Sequence, residues 1–222
     1  MKPHFQTIIF DFDYTLADSS RGVIECINFA LNELGLPAVS AEVACQTIGL
    51  SLPDIFLKLI GQQYIAKCDE FAYLFIKRAD EVMADRTVLF ESVPKTVELL
   101  KKRGIALGIV STKFRRRIET ILKRENLLNQ FDVIIGGEDI SEYKPDPEGL
   151  LAAIERLEDI PSSSLYVGDS VTDAETAKRA KVPFVAVLSG VTPKDTFRDY
   201  NVYGILEGLS ELPDLIGCGE EK

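Results

Sequence analysis

Histidine, tryptophan and closely spaced cysteines are scarce or absent in this sequence. Its 222 residues include one histidine, His4, no tryptophan, and four cysteines at Cys26, Cys45, Cys68 and Cys218. No two cysteines form a CxxC pair, so neither a zinc site nor a disulfide framework is expected. We interpret the four cysteines as reduced packing residues of a cytoplasmic protein.

Long hydrophobic runs and an excess of positive charge are also missing. No apolar run approaches the length of a membrane span, and Met1–Gln6 leads directly into a predicted strand without the features of a signal peptide. The net charge is −10, which argues against nucleic acid or an anionic membrane as a partner. An anionic substrate would therefore need a local positive site. The sequence is compatible with a monomer or a homodimer.

Five short apolar runs are typical of strands that are buried on both faces. Amphipathic segments separate the last four runs, and this alternation predicts an α/β fold with a Rossmann-like, doubly wound parallel sheet. The predicted strands span residues 7–12, 105–110, 132–137, 164–169 and 183–188.

The interval between the first two strands has a different pattern. From Ser19 to about Thr87 only helical patterns occur, and this stretch is too long for a single crossover helix. We predict an inserted all-helical cap at residues 18–87 and a core made of residues 1–17 and 88–222. Extra helices packed directly on the sheet are the alternative.

Polar residues follow four of the predicted strands. Ligands of open α/β sheets bind beyond the carboxyl ends of the strands, so these residues predict one shared site. Each pattern alone is weak, because a GDS or STK sequence is often only a helix cap, but the four together are specific. Carboxylates one residue apart repel each other, so the site also needs a cation. The polar residues are Asp11, Asp13, Thr15, Ser111, Thr112, Lys113, Lys144, Asp169 and Asp173.

These motifs resemble those of the haloacid dehalogenase-like hydrolase superfamily. The match covers nearly the whole chain and consists of DFDYT, VST, KP and GDSVTD. The helical segment is similar to the family's C1-type cap, and IGLSLPDIF and KPDPEGLLAAIERL resemble its phosphoglycolate phosphatase and pyrophosphatase-like branch. The resemblance implies a phosphatase that acts on a small phosphorylated metabolite such as phosphoglycolate, a sugar phosphate or pyrophosphate.

The resemblance also implies a role for each carboxylate. Asp11 would be the nucleophile that forms an aspartyl-phosphate, and Asp13 would be the general acid and base. Mg²⁺, which prefers hard oxygen ligands, would be held by Asp11, the backbone carbonyl of Asp13, and Asp169. Asp173 would be an outer partner of the metal.

The phosphate group would be bound by cationic and hydroxyl groups. Lys144 supplies a positive charge, Ser111 a hydroxyl group, and Thr112 a backbone N–H at a helix start. Thr15 would act in the same way on the first loop. Lys113 directly follows the phosphate-binding pair and is a candidate substrate contact.

Tyr14 departs from the family pattern, which commonly has glycine at this position. We predict that Tyr14 packs against the cap, and a contact that narrows the substrate pocket is the alternative. Other basic residues near the motifs are expected to be solvated surface residues. They are Arg115, Arg116, Arg117, Lys58, Lys67 and Lys77.

Opening and closing of the cap would admit the substrate and then exclude water. The candidate hinges are the two chain crossings near Ala17–Ser20 and Arg86–Val93.

Other activities of the same superfamily are less compatible with the sequence. Dehalogenases and phosphonate-cleaving members lack an aspartate at the position of Asp13. Sugar phosphomutases use the same pair of carboxylates but tend to carry a cap histidine, and the single histidine, His4, lies outside the predicted cap. A mutase remains the alternative enzyme, and a non-catalytic binding protein on this fold is the alternative of a different class.

Overall fold

A six-stranded parallel sheet lies at the centre of the structure, a computed structural model that describes residues 5–217. The order of strands in this sheet is β5-β4-β1-β6-β7-β8, and β2 and β3 form a separate two-stranded ribbon. In chain order the strands are β1 (Thr7–Phe10), β2 (Ala17–Asp18), β3 (Val88–Leu89), β4 (Ala106–Val110), β5 (Val133–Ile135), β6 (Ser164–Gly168), β7 (Phe184–Val187) and β8 (Gly204–Leu206).

Helices cover both faces of this sheet, which confirms the predicted Rossmann-like, doubly wound α/β fold. Side chains alternate between the faces of β1: Ile8 and Phe10 pack with α5, α6 and α9, while Ile9 packs with α7 and α8. The α-helices are α1 (Ser20–Glu33), α2 (Ala41–Cys45), α3 (Leu52–Ile60), α4 (Cys68–Val82), α5 (Val93–Lys102), α6 (Arg115–Arg124), α7 (Glu148–Arg156), α8 (Val171–Ala180) and α9 (Leu212–Leu215).

The first four helices form an insert between β2 and β3, and they have a hydrophobic core of their own. Every buried residue of this core comes from residues 23–83. Its centre contains Phe56, Phe71 and Phe75, and the rings of Phe56 and Phe71 are 5.1 Å apart. The insert is therefore the all-helical segment that the sequence pattern predicts.

A short antiparallel ribbon joins the insert to the sheet. Ala17 pairs with Leu89, and Asp18 pairs with Val88. The ribbon lies within the two predicted crossings, but its strands have only two residues each, which is too short for a recognisable sequence pattern. The edge strand β8 was also not predicted, because its three residues do not form a distinct apolar run.

Three of the four cysteines can be placed in the structure. Cys26 and Cys68 are buried in the core of the insert, Cys45 is half-buried in α2, and all three have free thiols. His4 and Cys218 lie outside the described residues. Over residues 5–217, none of the helices combines the length and hydrophobicity that crossing a bilayer requires.

Replacing a central ring of the insert is expected to destabilise the protein strongly. Phe71 is fully buried between two other rings, so Phe71→Ala should lower the free energy of unfolding in urea by about 3–5 kcal/mol. Tyr73 on the same helix is 65% exposed, and Tyr73→Ala should change it by less than about 0.5 kcal/mol. Equal effects of the two substitutions would contradict a packed core in the insert.

Candidate active site

The topology of the sheet brings the predicted polar residues together. β1 lies between β4 and β6, and all three strands are parallel. Asp11, Ser111 and Asp169 directly follow these strands and therefore emerge at the same edge. The backbone N–H of Asp11 still donates to the carbonyl of Val167 in β6 at 2.8 Å, which fixes Asp11 at the end of the strand.

Three buried carboxylates form a cluster at this edge. One oxygen each from Asp11, Asp169 and Asp173 lies within 4.8 Å of the others. Burial raises the pKa of Asp11 to about 7, although Lys144 opposes the shift. Burial, together with Asp173 and Asp11, raises the pKa of Asp169 well above its usual range. The folded protein thus holds these groups where ionisation is costly unless a cation is near.

Lys144 is the positive charge within this cluster. Its Nζ atom lies 2.9 Å from Asp11 Oδ1 and 2.7 Å from Asp173 Oδ1. Burial alone would lower the pKa of Lys144, but the two carboxylates outweigh this effect and raise the pKa well above its usual value. Lys144 is therefore held in its charged form beside Asp11, as a phosphate-binding residue would have to be.

Asp173 is fixed by several donors. Its Oδ1 atom accepts hydrogen bonds from Lys144 and, at 2.9 Å, from the hydroxyl group of Tyr166. Its Oδ2 atom accepts from the backbone N–H and the hydroxyl group of Ser170, which caps α8. Both oxygens are thus engaged with protein groups, and this arrangement positions Lys144.

The donor set fits a divalent cation. Carboxylate oxygens are the hard ligands that Mg²⁺ and related ions prefer. Asp11 Oδ1 is buried and accepts no well-aligned hydrogen bond from the described residues, although Lys144 lies beside it. The site's four buried carboxylates outnumber its two buried lysines by two charges, which a divalent cation would balance. Buried charges need such compensation.

The loop after β7 closes tightly on Asp169. A methyl group added at Gly190 would lie 1.9 Å from Asp169 Oδ2. Only glycine leaves room for the carboxylate at this position, so Gly190 helps to set the orientation of Asp169.

Asp13 lies beside the acidic cluster and has separate partners. Its Oδ1 atom accepts a short hydrogen bond from the hydroxyl group of Ser19. The Nζ atom of Lys113 lies 3.2 Å from the same oxygen, and both charged side chains are buried. Lys113, a candidate substrate contact, is therefore an ion-pair partner of Asp13 in this structure.

The candidate phosphate-binding residues lie on the loops beside these carboxylates. Ser111 is buried, and its hydroxyl group accepts a hydrogen bond from the backbone N–H of Lys113. The hydroxyl group of Thr112 donates to the carbonyl of Gly49 in the insert. Thr15 is buried in the turn after β1, and its hydroxyl group has no hydrogen-bond partner among the described residues.

A cavity of about 270 Å³ lies between the insert and the core. On the core side its wall includes Asp13, Thr112, Lys113 and Arg117. On the insert side the wall is mostly hydrocarbon and includes Val23, Ile48, Leu50, Leu52, Pro53, Ile55, Ala72, Phe75, Ile76 and Met83.

The prediction that Arg117 is a surface residue is wrong. Its side chain is buried because the first turn of α6 faces the insert, and it forms an ion pair with Asp80 Oδ1 at 2.7 Å. It also donates to the carbonyl of Ile76 at 3.0 Å. Arg116 also pairs with Asp80 but is half exposed, and Arg115 is exposed and pairs with Asp139.

The lysines of the insert do not line the cavity. Lys58 and Lys77 are exposed, as predicted. Lys67 is half-buried, and it donates to the carbonyl of Leu34 at 2.7 Å.

Tyr14 packs against the insert, as we predict from the sequence. It is 8% exposed, and burial together with a hydrogen bond to Cys45 in α2 raises the pKa of its phenol above the usual value. Its φ of 59° lies in the left-handed region, which favours glycine. This conformation explains why glycine is suited to the position, while tyrosine adds a contact with the insert.

Three residues of the site were not found from the sequence. Ser19 and Gly190 lie on loops outside the motifs, and their roles depend on close approaches that no local pattern encodes. Tyr166 had a signal, since it is the one aromatic residue with a polar group in the buried strand SLYVG.

Comparison with known proteins identifies the family. The sequence profile of the haloacid dehalogenase-like hydrolases matches residues 8–187. Phosphoglycolate phosphatase from Aquifex aeolicus is 32% identical over 185 residues, which are 83% of this chain and 85% of that protein. Pyrophosphatase PpaX from Bacillus mycoides is 31% identical over 206 residues, which are 93% of this chain and 94% of that protein.

A solved structure supports the same assignment. The structure of a Bacteroides fragilis protein described as a haloacid dehalogenase-like hydrolase superimposes with a TM-score of 0.90 and 42% identity, covering 94% of this chain and 99% of that one. The chain belongs to the haloacid dehalogenase-like hydrolase family. Within it, the chain is a phosphatase, a hydrolase of phosphate ester or anhydride bonds.

Proposed function

We propose that this phosphatase is Mg²⁺-dependent and hydrolyses a small phosphorylated metabolite through an aspartyl-phosphate on Asp11. The observation that carries the proposal is the buried cluster of Asp11, Asp169 and Asp173. Within it the Nζ atom of Lys144 lies 2.9 Å from Asp11 Oδ1 and 2.7 Å from Asp173 Oδ1. A core of residues 1–17 and 88–222 holds this cluster, and residues 18–87 act as its cap.

Two carboxylates have separate roles in the reaction, nucleophilic attack for Asp11 and proton transfer for Asp13. An oxygen of Asp11 attacks phosphorus, and the bond from phosphorus to the leaving oxygen breaks as Asp13 gives that oxygen a proton. Asp13 then takes a proton from water as the water oxygen attacks phosphorus. The bond between Asp11 and phosphorus breaks, and inorganic phosphate leaves. Ser19 and Lys113 hold Asp13 for both proton transfers.

The metal would be held by Asp11, Asp169 and the backbone carbonyl of Asp13, with Asp173 as an outer partner. When bound, it neutralises charge on the phosphate oxygens and on the attacking carboxylate. Two observations support this assignment: Asp11 Oδ1 accepts no well-aligned hydrogen bond from the described residues, and the site has an excess of negative charge.

The phosphate group would be bound by Lys144, Ser111, the backbone N–H of Thr112 and Thr15. Positioning and charge stabilisation are the main requirements of phosphoryl transfer. The buried ammonium group of Lys144 supplies the charge, and the unpartnered hydroxyl group of Thr15 supplies a donor.

The insert would close over the site during the reaction and open between turnovers. In this structure it contacts the core through Thr112 and Gly49 and through Arg117 and Asp80. The ribbon at Ala17–Ser20 and Arg86–Val93 would act as the hinge.

The names of the relatives include phosphoglycolate and pyrophosphate, and a sugar phosphate is a third candidate substrate. We propose that the enzyme acts on a small phosphorylated molecule in the cytoplasm, as a monomer or homodimer, without nucleic acid or membrane partners.

Asp11→Asn should abolish phosphate release while leaving the fold intact, because an amide is a poor nucleophile. We expect kcat to fall by roughly 10⁴-fold or more in a phosphate-release assay with Mg²⁺ and a panel of metabolite phosphates. EDTA should stop the wild-type reaction. The control is Asp214→Asn. Asp214 is exposed on α9 and is not one of the proposed site residues, so this variant should retain full activity.

Turnover by Asp11→Asn at the wild-type rate would contradict the proposal. An assay with a sugar phosphate and a bisphosphate activator distinguishes a phosphatase from a mutase. Free phosphate would identify a phosphatase, and an isomerised sugar phosphate would identify a mutase.

Gly190→Ala should weaken Mg²⁺ binding, because the new methyl group would displace the carboxylate of Asp169. We expect the Mg²⁺ concentration needed for half-maximal thermal stabilisation to rise about 10–100-fold, the scale for groups that orient metal ligands. The control is Gly208→Ala, because a methyl group there would contact nothing within 4 Å. Unchanged Mg²⁺ affinity in Gly190→Ala would show that Asp169 is not a ligand.

A further inference from the structure

The cavity between the insert and the core is the space into which the leaving group must extend. Its wall includes Asp13, the proposed proton donor to the leaving oxygen, and Thr112, a proposed phosphate ligand. A substrate with its phosphate group on Asp11 therefore places the rest of the molecule against this wall. The properties of the wall should then select the substrate, and this inference rests on the proposed function.

The insert contributes no charged side chain to the cavity. The helix residues of the insert that line the cavity include Val23 from α1, Ile55 from α3 and Phe75 from α4, and all three are buried hydrocarbon. The polar residue Ser51 also lines the cavity, but its hydroxyl group is bound to Asp54 at the start of α3. This wall offers apolar contact and few hydrogen bonds.

The two cations in the wall already have internal partners. Lys113 pairs with Asp13 at 3.2 Å, and Arg117 pairs with Asp80 and donates to the carbonyl of Ile76. A carboxylate or a second phosphate group on the substrate would have to leave water and compete with these partners. Arg116, which shares Asp80, is half exposed to solvent and does not line the cavity.

The volume of the cavity sets the size of its occupant. An apolar cavity of about 150 Å³ can hold benzene, and the space here is about 270 Å³. We propose that the substrate is the phosphate monoester of a compact apolar alcohol, on the scale of a benzyl or branched alkyl group. The cost of desolvating a charged group without a free partner favours such an apolar leaving group over the charged leaving groups of phosphoglycolate and pyrophosphate.

Primary alkyl phosphates test this inference, because their leaving alcohols are matched in reactivity. Each buried methylene should raise kcat/KM about fourfold, which corresponds to ~0.8 kcal/mol. We expect kcat/KM for benzyl phosphate to exceed that for ethyl phosphate by about 30-fold or more, and phosphoglycolate to fall below ethyl phosphate.

A preference for phosphoglycolate or pyrophosphate over benzyl phosphate would overturn the inference and leave the proposed function standing. Absence of phosphate release from every compound with Mg²⁺ would overturn both. The two failures are thus distinguishable in one assay.

A variant that fills the cavity provides a second test. Ala72 on α4 lines the cavity, whereas its neighbour Tyr73 is 65% exposed. Ala72→Phe should lower the ratio of kcat/KM for benzyl phosphate to that for ethyl phosphate by about tenfold. Tyr73→Phe places the same side chain outside the cavity and should leave the ratio unchanged. Equal ratios in both variants would overturn the inference.

A third test removes the ion-pair partner of Arg117 in the cavity wall, and it does not depend on whether Ala72→Phe folds. Asp80→Asn removes the carboxylate that neutralises Arg117. We expect kcat/KM for phosphoglycolate to rise relative to benzyl phosphate by several-fold, because Arg117 is then available to a substrate carboxylate. An unchanged ratio would contradict the argument that Asp80 excludes anionic leaving groups.

Discussion

The ion pair between Lys144 and Asp11, inside a cluster of buried carboxylates, is the interaction on which the site depends. Removing charges from water is costly, and a buried pair recovers that cost only when its geometry and its other partners are good. Here Asp173 and Tyr166 hold Lys144 in place. One ammonium group cannot neutralise all the carboxylates around it, so the cluster also creates the demand for a divalent cation. Active sites commonly keep such unfavourable charge at the expense of stability.

The order of strands in the sheet explains how distant segments of the chain meet. β1 is central, and the two neighbouring strands come from residues about 100 and 160 positions further along the chain. Their carboxyl ends therefore deliver Asp11, Ser111 and Asp169 to one edge, the usual ligand site of an open α/β sheet. The chain passes from the core into the insert at Ala17–Asp18, a short loop after β1. The insert is therefore anchored beside the same edge of the sheet. The fold thus places the insert, which has a hydrophobic core of its own, beside these polar residues.

Much of this arrangement could be predicted from the sequence, because it follows from local patterns. Apolar runs with intervening amphipathic segments indicated the parallel sheet, and the carboxylates that interrupt the runs indicated Asp11 and Asp169. The remainder depends on contacts between distant segments. Arg117 lies in a basic run that is typical of an exposed helix face, yet Asp80 and Ile76 from the insert bury it. Similarly, nothing near Gly190 in the sequence shows that Asp169 will lie against it. The pairing of Lys113 with Asp13 has the same cause, since only the folded chain brings these two side chains together.

The proposed mechanism requires that Asp11 itself becomes phosphorylated. An acyl phosphate is reduced by borohydride, so a rapid acid quench during turnover, followed by borohydride reduction and peptide mass spectrometry, identifies the residue that carried the phosphoryl group. We predict that Asp11 is the reduced residue and that its reduction requires both substrate and Mg²⁺. Reduction at Asp13 or Asp169, or no reduced residue while phosphate accumulates during steady turnover, would contradict the claim.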